Sequence, residues 1–123
     1  MIGKPRITVV TVVYNGVETL EETILSVIGQ TYANFEYIII DGGSNDGTLD
    51  IIKKYESSIS SWISEPDKGI FDAMNKGLRR ANGEWLNFMN SGDMFYNSSI
   101  LSDVFSGNLD EVDMIYGDVC LYD

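Results

Sequence analysis

The sequence predicts an α/β domain in which a mostly parallel sheet is flanked by helices. The clearest strand is the run of residues 7–13, which is almost entirely β-branched and apolar, as in a strand buried on both faces. Strand and helix patterns then alternate along the chain and are joined by short connections. This alternation favours right-handed βαβ units, and therefore parallel strands.

The first helix is expected after Asn15-Gly16. Thr19 and Glu22 have the spacing of a capping box, in which each side chain bonds a free amide at the start of the helix. The apolar residues then recur at intervals of three and four, which places them on one helix face. These residues are Leu20, Ile24, Val27 and Ile28.

A second apolar strand covers residues 35–40 and leads into a loop, residues 41–47, that is rich in Gly, Asp and Asn. A short helix over residues 48–55 follows, with Leu49, Ile52 and Tyr55 directed inward. Residues 59–64 are predicted to form a third strand, which ends before Pro66 because proline cannot donate to the sheet.

The third helix is predicted over residues 70–81, ending at Asn82-Gly83. Its expected core residues are Ile70, Met74, Leu78 and Ala81. The remaining predicted elements are a fourth strand, a helix and a fifth strand, at residues 85–89, 98–105 and 114–116.

Charge and composition exclude several classes of function. The 123 residues include 8 basic and 19 acidic side chains, and the net charge of −11 argues against a general nucleic-acid binder. The absence of His excludes His-ligated metals and Ser-His-Asp triads, and one cysteine, Cys120, cannot form an internal disulfide. No apolar run approaches the ~18 residues that span a bilayer. We expect one domain, or part of one, in the cytoplasm.

Polar residues are concentrated at the carboxyl ends of the predicted strands, where parallel sheets bind ligands. The second half of the chain has four basic residues, all within residues 68–80, and they form either an anion site or the solvated side of a helix. Lys68 precedes the third helix and, with the amides of Gly69 and Ile70, could face an anion. Asp72 and Lys76 are spaced as an exposed ion pair.

The glycine-rich loop at residues 41–48 has neither the Walker pattern nor the dinucleotide-binding pattern. Asp46 is expected to cap the following helix. For Asp41 a ligand role is favoured, because a carboxylate at a strand end can accept a hydrogen bond from a base or a ribose. Asp93, after the fourth strand, suits a divalent cation shared with phosphates, although its segment also fits a tight turn. Tyr14, at a strand tip, is placed to stack on a flat base.

Five blocks of sequence together resemble the inverting family 2 glycosyltransferases of the GT-A fold, which is Rossmann-like. The blocks are residues 11–15 (TVVYN), 25–32 (LSVIGQTY), 41–48 (DGGSNDGT), 65–77 (EPDKGIFDAMNKG) and 81–85 (ANGEW). The resemblance covers essentially the whole chain. It is similar in detail to bacterial transferases that build exopolysaccharide, capsule or O-antigen.

The resemblance implies a set of nucleotide-binding residues and one metal ligand. The nucleotide-binding residues are Thr11, Tyr14, Asn15, Asp41, Gly42, Ser44, Lys68 and Asp72. Asp93 is the implied ligand of Mn²⁺ or Mg²⁺. Two departures from the family pattern stand out. Gly42 replaces an Asp that often contacts the base, and Ser91 or Gly92 replaces the first carboxylate of the D-x-D element.

By this resemblance the chain is the nucleotide-sugar-binding part, residues 1–123, of a longer transferase domain. It would move a sugar from a nucleoside diphosphate sugar to a hydroxyl of a saccharide or lipid-linked saccharide. The expected general base is a carboxylate beyond Asp123, so the 123 residues alone are expected to be inactive. The full-length protein would act in the cytoplasm. Because a lipid-linked acceptor lies at the membrane, the protein could also associate peripherally with the inner face of the membrane.

Two alternatives remain open at this stage. One is a nucleotide-binding module without catalysis. The other is a nucleotidyltransferase, which would require a G-x-G-T-R-type loop near the first strand, and residues 12–16 (VVYNG) do not form one.

Overall fold

The computed structural model describes residues 6–104. Four parallel strands form one sheet in the order β3-β2-β1-β4, which confirms the predicted parallel α/β architecture. The strands are β1 (Ile7–Val13), β2 (Phe35–Asp41), β3 (Ser61–Ser64) and β4 (Trp85–Phe88). The predicted fifth strand, residues 114–116, lies outside the described residues.

The helices lie close to their predicted positions. They are α1 (Leu20–Ile28), α2 (Thr48–Lys54), α3 (Ile70–Arg80) and α4 (Ile100–Val104). Within residues 6–104, none of these helices has both the length and the apolar character that a bilayer crossing requires.

The core has two layers because successive residues of β1 point to opposite faces of the sheet. Ile7, Val9 and Val13 pack in the cluster that includes Leu20 and Ile24 of α1. Val10 and Val12 pack in a second cluster with residues of β2 and α3. All seven residues of β1 are buried, as the β-branched run predicts.

The buried face of α3 differs from the predicted one. Ala73 and Gly77 are its buried residues, whereas Ile70 is 49% and Leu78 54% exposed. The reason is the close approach of α3 to β1, since a Cβ built on Gly77 would lie 2.5 Å from Cγ1 of Val10. Small residues therefore face the sheet, and Ile70 and Leu78 of the predicted stripe are displaced toward solvent, whereas Met74 still packs partly buried against the second cluster.

The predicted capping box at the start of α1 is also absent. Thr19 is the N-cap residue but makes no side-chain hydrogen bond to the helix amides. Its Oγ1 lies 2.9 Å from Oγ of Ser91, so it joins α1 to the loop after β4 instead.

A buried carboxylate organises the amino end of the sheet, away from the ligand edge. Oε1 of Glu36 accepts hydrogen bonds from the Thr8 hydroxyl at 2.6 Å and the Asn82 amide at 2.5 Å. Burial by itself would raise the pKa of Glu36, but these bonds and the charge of Arg6 outweigh it, and the pKa is lowered from its ordinary value.

Candidate functional site

A cavity of about 510 Å³ opens at the carboxyl ends of the strands, the edge that the sequence predicts. Its walls are the tip of β1, the loop between β3 and α3, the first turn of α3 and the loop after β4. Tyr14 and Asn15, both predicted nucleotide-binding residues, line it. This volume falls within the ~300–1,000 Å³ of small-molecule sites.

Asn15 and Ser44 join the loop after β1 to the loop after β2. The Asn15 amide donates to Oγ of Ser44 at 2.7 Å, and Oδ1 of Asn15 accepts from the Asn45 amide at 3.0 Å. Asn15 has a positive φ of 49°, a conformation that Asn adopts more readily than most residues. Ser44 is thus a structural residue that holds Asn15 and the tip of β1 in place.

Asp46 supports the same junction at the start of α2. Its Oδ1 accepts from the Thr48 amide at 3.1 Å and from the Thr48 hydroxyl at 2.5 Å. Its Oδ2 accepts from the Val17 amide at 3.2 Å. The hydrogen bond from the Thr48 hydroxyl, with those from the two amides, lowers the pKa of Asp46. The expected helix-capping role is therefore confirmed, although the N-cap position itself is Gly47.

Asp41 is not among the residues that line the cavity, and its predicted ligand role stays a prediction. Its side chain is fully buried, and Oδ2 accepts from the Gly43 amide at 3.0 Å, the Ser44 amide at 2.9 Å and the Ser64 hydroxyl at 2.8 Å. Oδ1 accepts from the Ser44 hydroxyl at 2.5 Å. Through these hydrogen bonds the carboxylate shapes the glycine-rich loop.

Thr11 is likewise buried. Its side chain is fully buried, and Oγ1 lies 2.7 Å from the hydroxyl of Tyr37, inside the core. The strand alternation points this hydroxyl into the interior. The predicted contact of Thr11 with the base stays a prediction.

Tyr14 has the position that base stacking requires. It follows β1 directly, is 65% exposed and lines the cavity. Gly42 lies beside it, since a Cβ built on Gly42 would be 3.3 Å from Cδ1 of Tyr14. The structure therefore brings together Tyr14, Asn15 and Gly42 from the predicted set.

The loop between β3 and α3 is held by Asp72 and Lys76. Oδ2 of Asp72 accepts from the Lys68 amide at 2.9 Å, and this bond is the main cause of the lowered pKa of Asp72. Nζ of Lys76 donates to the Pro66 carbonyl at 3.1 Å and pairs with Glu65 at 3.1 Å and Asp72 at 3.7 Å. Asp72 thus positions the loop, and its predicted contact with the nucleotide stays a prediction.

Of the four basic residues in residues 68–80, one has a structural role and three are exposed to solvent. The Lys76 side chain is only 13% exposed and belongs to the loop, whereas Lys68, Arg79 and Arg80 are exposed. The Gly69 amide donates to Oδ1 of Asp67 at 3.0 Å, so it is not free for an anion as predicted.

Asp67 and Asn90 are among the residues that line the cavity without having been predicted as site residues. Asp67 follows Pro66 in the loop after β3, and Asn90 follows β4. Within the described part of the chain, Oδ1 of Asn90 is buried without a hydrogen-bond partner. Both residues lie at strand ends on the ligand edge, which is the signal that could have identified them.

Asp93 is exposed in a turn beyond the cavity-lining Ser91. The turn is closed by the Asp93 amide, which donates to the Asn90 carbonyl at 2.9 Å, and Gly92 has a φ of +99°. Over residues 6–104, no three side chains of the metal-ligating types His, Cys, Asp and Glu come together. One exposed carboxylate fits a Mg²⁺ or Mn²⁺ ion that takes its other ligands from phosphates and water.

Comparison with known proteins identifies the family. Residues 8–106 match the family described as Glycosyl transferase family 2. A PGL/p-HBAD biosynthesis glycosyltransferase of Mycobacterium bovis is 33% identical over 125 residues, covering 98% of this chain and 49% of the relative. A Bacillus subtilis protein named as a teichuronic acid biosynthesis glycosyltransferase, TuaG, is 39% identical over 93 residues, covering 73% of this chain and 37% of the relative.

Solved structures give the same fold. The crystal structure of Staphylococcus aureus TarS in complex with UDP-GlcNAc matches with a TM-score of 0.75 and 26% identity, over 82% of this chain and 30% of that one. The chain thus spans half or less of the length of these similar proteins. With a matching family over most of its residues and a GT-A sheet, the chain belongs to glycosyl transferase family 2.

Proposed function

We propose that this chain is the donor-binding part of a glycosyltransferase that moves a sugar from a nucleoside diphosphate sugar to an acceptor hydroxyl with inversion. The observation that carries the proposal is the cavity at the carboxyl edge of the sheet, with the exposed ring of Tyr14 at its wall. The family match and the UDP-GlcNAc complex of TarS support it.

The strand order suggests how a nucleoside diphosphate lies in the cavity. The loop after β3 and the loop after β4 are at opposite ends of the sheet, three strand spacings apart. At ~4.8 Å per spacing this distance is ~14 Å, which suits an extended nucleoside diphosphate. We place the base at the Tyr14 ring, which reaches from the tip of β1 toward Gly42 and Asp67, and the diphosphate toward Asn90 and Ser91, after β4.

The β4 side would also hold a divalent cation. A diphosphate approaching a protein of net charge −11 requires local neutralisation. Asp93 offers one carboxylate next to the end that we assign to the diphosphate, and the exposed Lys68 lies in the loop at the other end. When bound, the cation would supply positive charge that stabilises the departing diphosphate.

Inverting transfer also requires a carboxylate that removes the proton of the acceptor hydroxyl. Asp67 is the only carboxylate among the described residues that line the cavity, and it lies at the end that we assign to the base. We therefore assign the general base to none of residues 6–104. The same observation favours a second candidate function, a nucleotide-binding module without catalysis.

The acceptor and location are proposed from the relatives. Two of them are named for PGL/p-HBAD biosynthesis and for teichuronic acid biosynthesis, and we propose a saccharide or lipid-linked saccharide acceptor at the inner face of the membrane.

A binding and turnover experiment tests the proposal. UDP and GDP are titrated into the protein by calorimetry with Mg²⁺, with Mn²⁺ and with EDTA, and nucleotide sugars are then incubated with saccharide acceptors. We expect cation-dependent binding, and a product of inverted anomeric configuration by NMR. Binding without transfer by the full-length protein would favour the non-catalytic module, and absence of nucleotide binding would refute both functions.

A further inference from the structure

We propose that the Asp67 carboxylate selects the base of the donor. It would favour bases that present a ring N–H, namely uracil, thymine and guanine, over cytosine and adenine. The inference rests on the proposed function, because it concerns the base end of the same cavity.

Asp67 occupies the space above Gly42. A Cβ built on Gly42 would lie 2.7 Å from Oδ2 of Asp67 and 3.3 Å from its Cγ. The same Cβ would lie 3.3 Å from Cδ1 of Tyr14. The missing side chain at position 42 therefore lets the carboxylate settle next to the Tyr14 ring, where a stacked base would present its edge.

The two oxygens of Asp67 have different roles. Oδ1 accepts a hydrogen bond from the Gly69 amide at 3.0 Å, which fixes the orientation of the carboxylate. For Oδ2, the structure of residues 6–104 gives no hydrogen-bond partner, although Asp67 lines the cavity. One oxygen is thus used to hold the group and the other is available to a ligand.

Two further features of the surrounding loop help to hold Asp67 in this position. Lys76 holds the Pro66 carbonyl from below, and Gly69 has a φ of +112° that any residue with a side chain would rarely adopt. The carboxylate is therefore oriented before a ligand arrives, which reduces the entropy lost on binding.

An ionised carboxylate only accepts hydrogen bonds. It complements the ring N–H of uracil, thymine and guanine, whereas the corresponding ring nitrogen of cytosine or adenine is itself an acceptor and would be repelled. A hydrogen bond to a charged group in a site built to receive it gives a preference of about tenfold or more.

The test compares base preference in the unaltered protein, in Asp67→Asn and in the control Glu65→Gln. Glu65 is exposed in the same loop and does not line the cavity. Its substitution removes an equal charge and the ion pair with Lys76, so it shows what the loss of a loop contact alone does to base preference. UDP, GDP, CDP and ADP are titrated with Mg²⁺ present. Asparagine can keep the bond to the Gly69 amide but places a donor at Oδ2, so the preference for UDP and GDP over CDP should fall about tenfold or more.

A second variant, Gly42→Ala, tests position rather than charge. The added methyl group would displace the carboxylate from its place beside Tyr14, and the ratio of UDP to CDP affinity should fall while all charges remain. Equal preference for the four bases in the unaltered protein, or an unchanged ratio in folded Asp67→Asn and Gly42→Ala, would overturn this inference and leave the proposed function intact. If none of the four nucleotides binds the unaltered protein, the proposed function fails as well.

Discussion

Replacing Asp41 by asparagine separates its structural role from the predicted ligand role. The carboxylate is fully buried and accepts four hydrogen bonds, three at Oδ2 and one at Oδ1. Asparagine has nearly the same shape and can retain the three bonds at one oxygen. Its amide group then faces the Ser44 hydroxyl, and the charge-assisted bond of 2.5 Å is lost.

A hydrogen bond to a charged group contributes about 1.5–3 kcal/mol, so we expect the free energy of unfolding to fall by about 2 kcal/mol. For a domain of this size the melting temperature should fall by roughly 6–10 °C. Differential scanning calorimetry measures both quantities. The control is Asp50→Asn, an exposed residue of α2, for which we expect a change within about 0.5 kcal/mol.

Measuring nucleotide binding by Asp41→Asn can refute the structural role that we assign to Asp41. If Asp41 acts only on the loop, the folded Asp41→Asn protein should bind UDP or GDP within about threefold of the unaltered protein, a difference below 1 kcal/mol. An unchanged melting temperature together with lost nucleotide binding would show that the carboxylate contacts the ligand. The reasoning from its hydrogen bonds would then be wrong.

Three further predictions concern the base, the cation and the amino end of the sheet. Tyr14→Ala should weaken nucleotide binding by about 1–3 kcal/mol by calorimetry, the scale of one stacked base, and should leave the melting temperature nearly unchanged because the ring is 65% exposed. Asp93→Asn should reduce the gain in affinity that Mg²⁺ or Mn²⁺ gives over EDTA, and an equal gain in the variant would remove Asp93 from the cation site. The pKa of Glu36 is lowered from 4.5, so its stabilising contribution is complete above that pH and is lost as the pH falls through the lowered value. Urea unfolding between pH 6 and pH 3 should therefore show a steeper loss of stability for the unaltered protein than for Glu36→Gln, and parallel curves would contradict the assignment.

The sheet could be predicted from sequence because its signal is local. The β-branched run of residues 7–13 predicts a buried strand, and β1 has the same bounds. The buried face of α3 was mispredicted because the contact surface is built from Ala73 and Gly77, whose small size carries little hydrophobic signal. The close packing that buries them depends on Val10, a residue of another element.

The site was harder to predict than the fold because carboxylates on one edge look alike in sequence. Asp41 and Asp67 both lie near strand ends, yet one is buried under loop donors and the other lines the cavity. The difference depends on tertiary partners, since Ser64 donates to Asp41 from β3 and Gly42 leaves room for Asp67. Neither contact can be inferred from the spacing of residues along the chain.

The close contact between Gly77 and Val10 affects the position of one wall of the cavity. Gly69 and Ile70, at the first turn of α3, line the cavity, and Gly77 lies seven residues further along the helix than Ile70, a rise of ~10 Å. Because the helix rests on the strand at Gly77, an added methyl group there would overlap the Val10 side chain unless α3 moved away from β1, and the first turn of the same helix forms a wall of the cavity. The position of this cavity wall therefore depends on a residue that does not itself line the cavity.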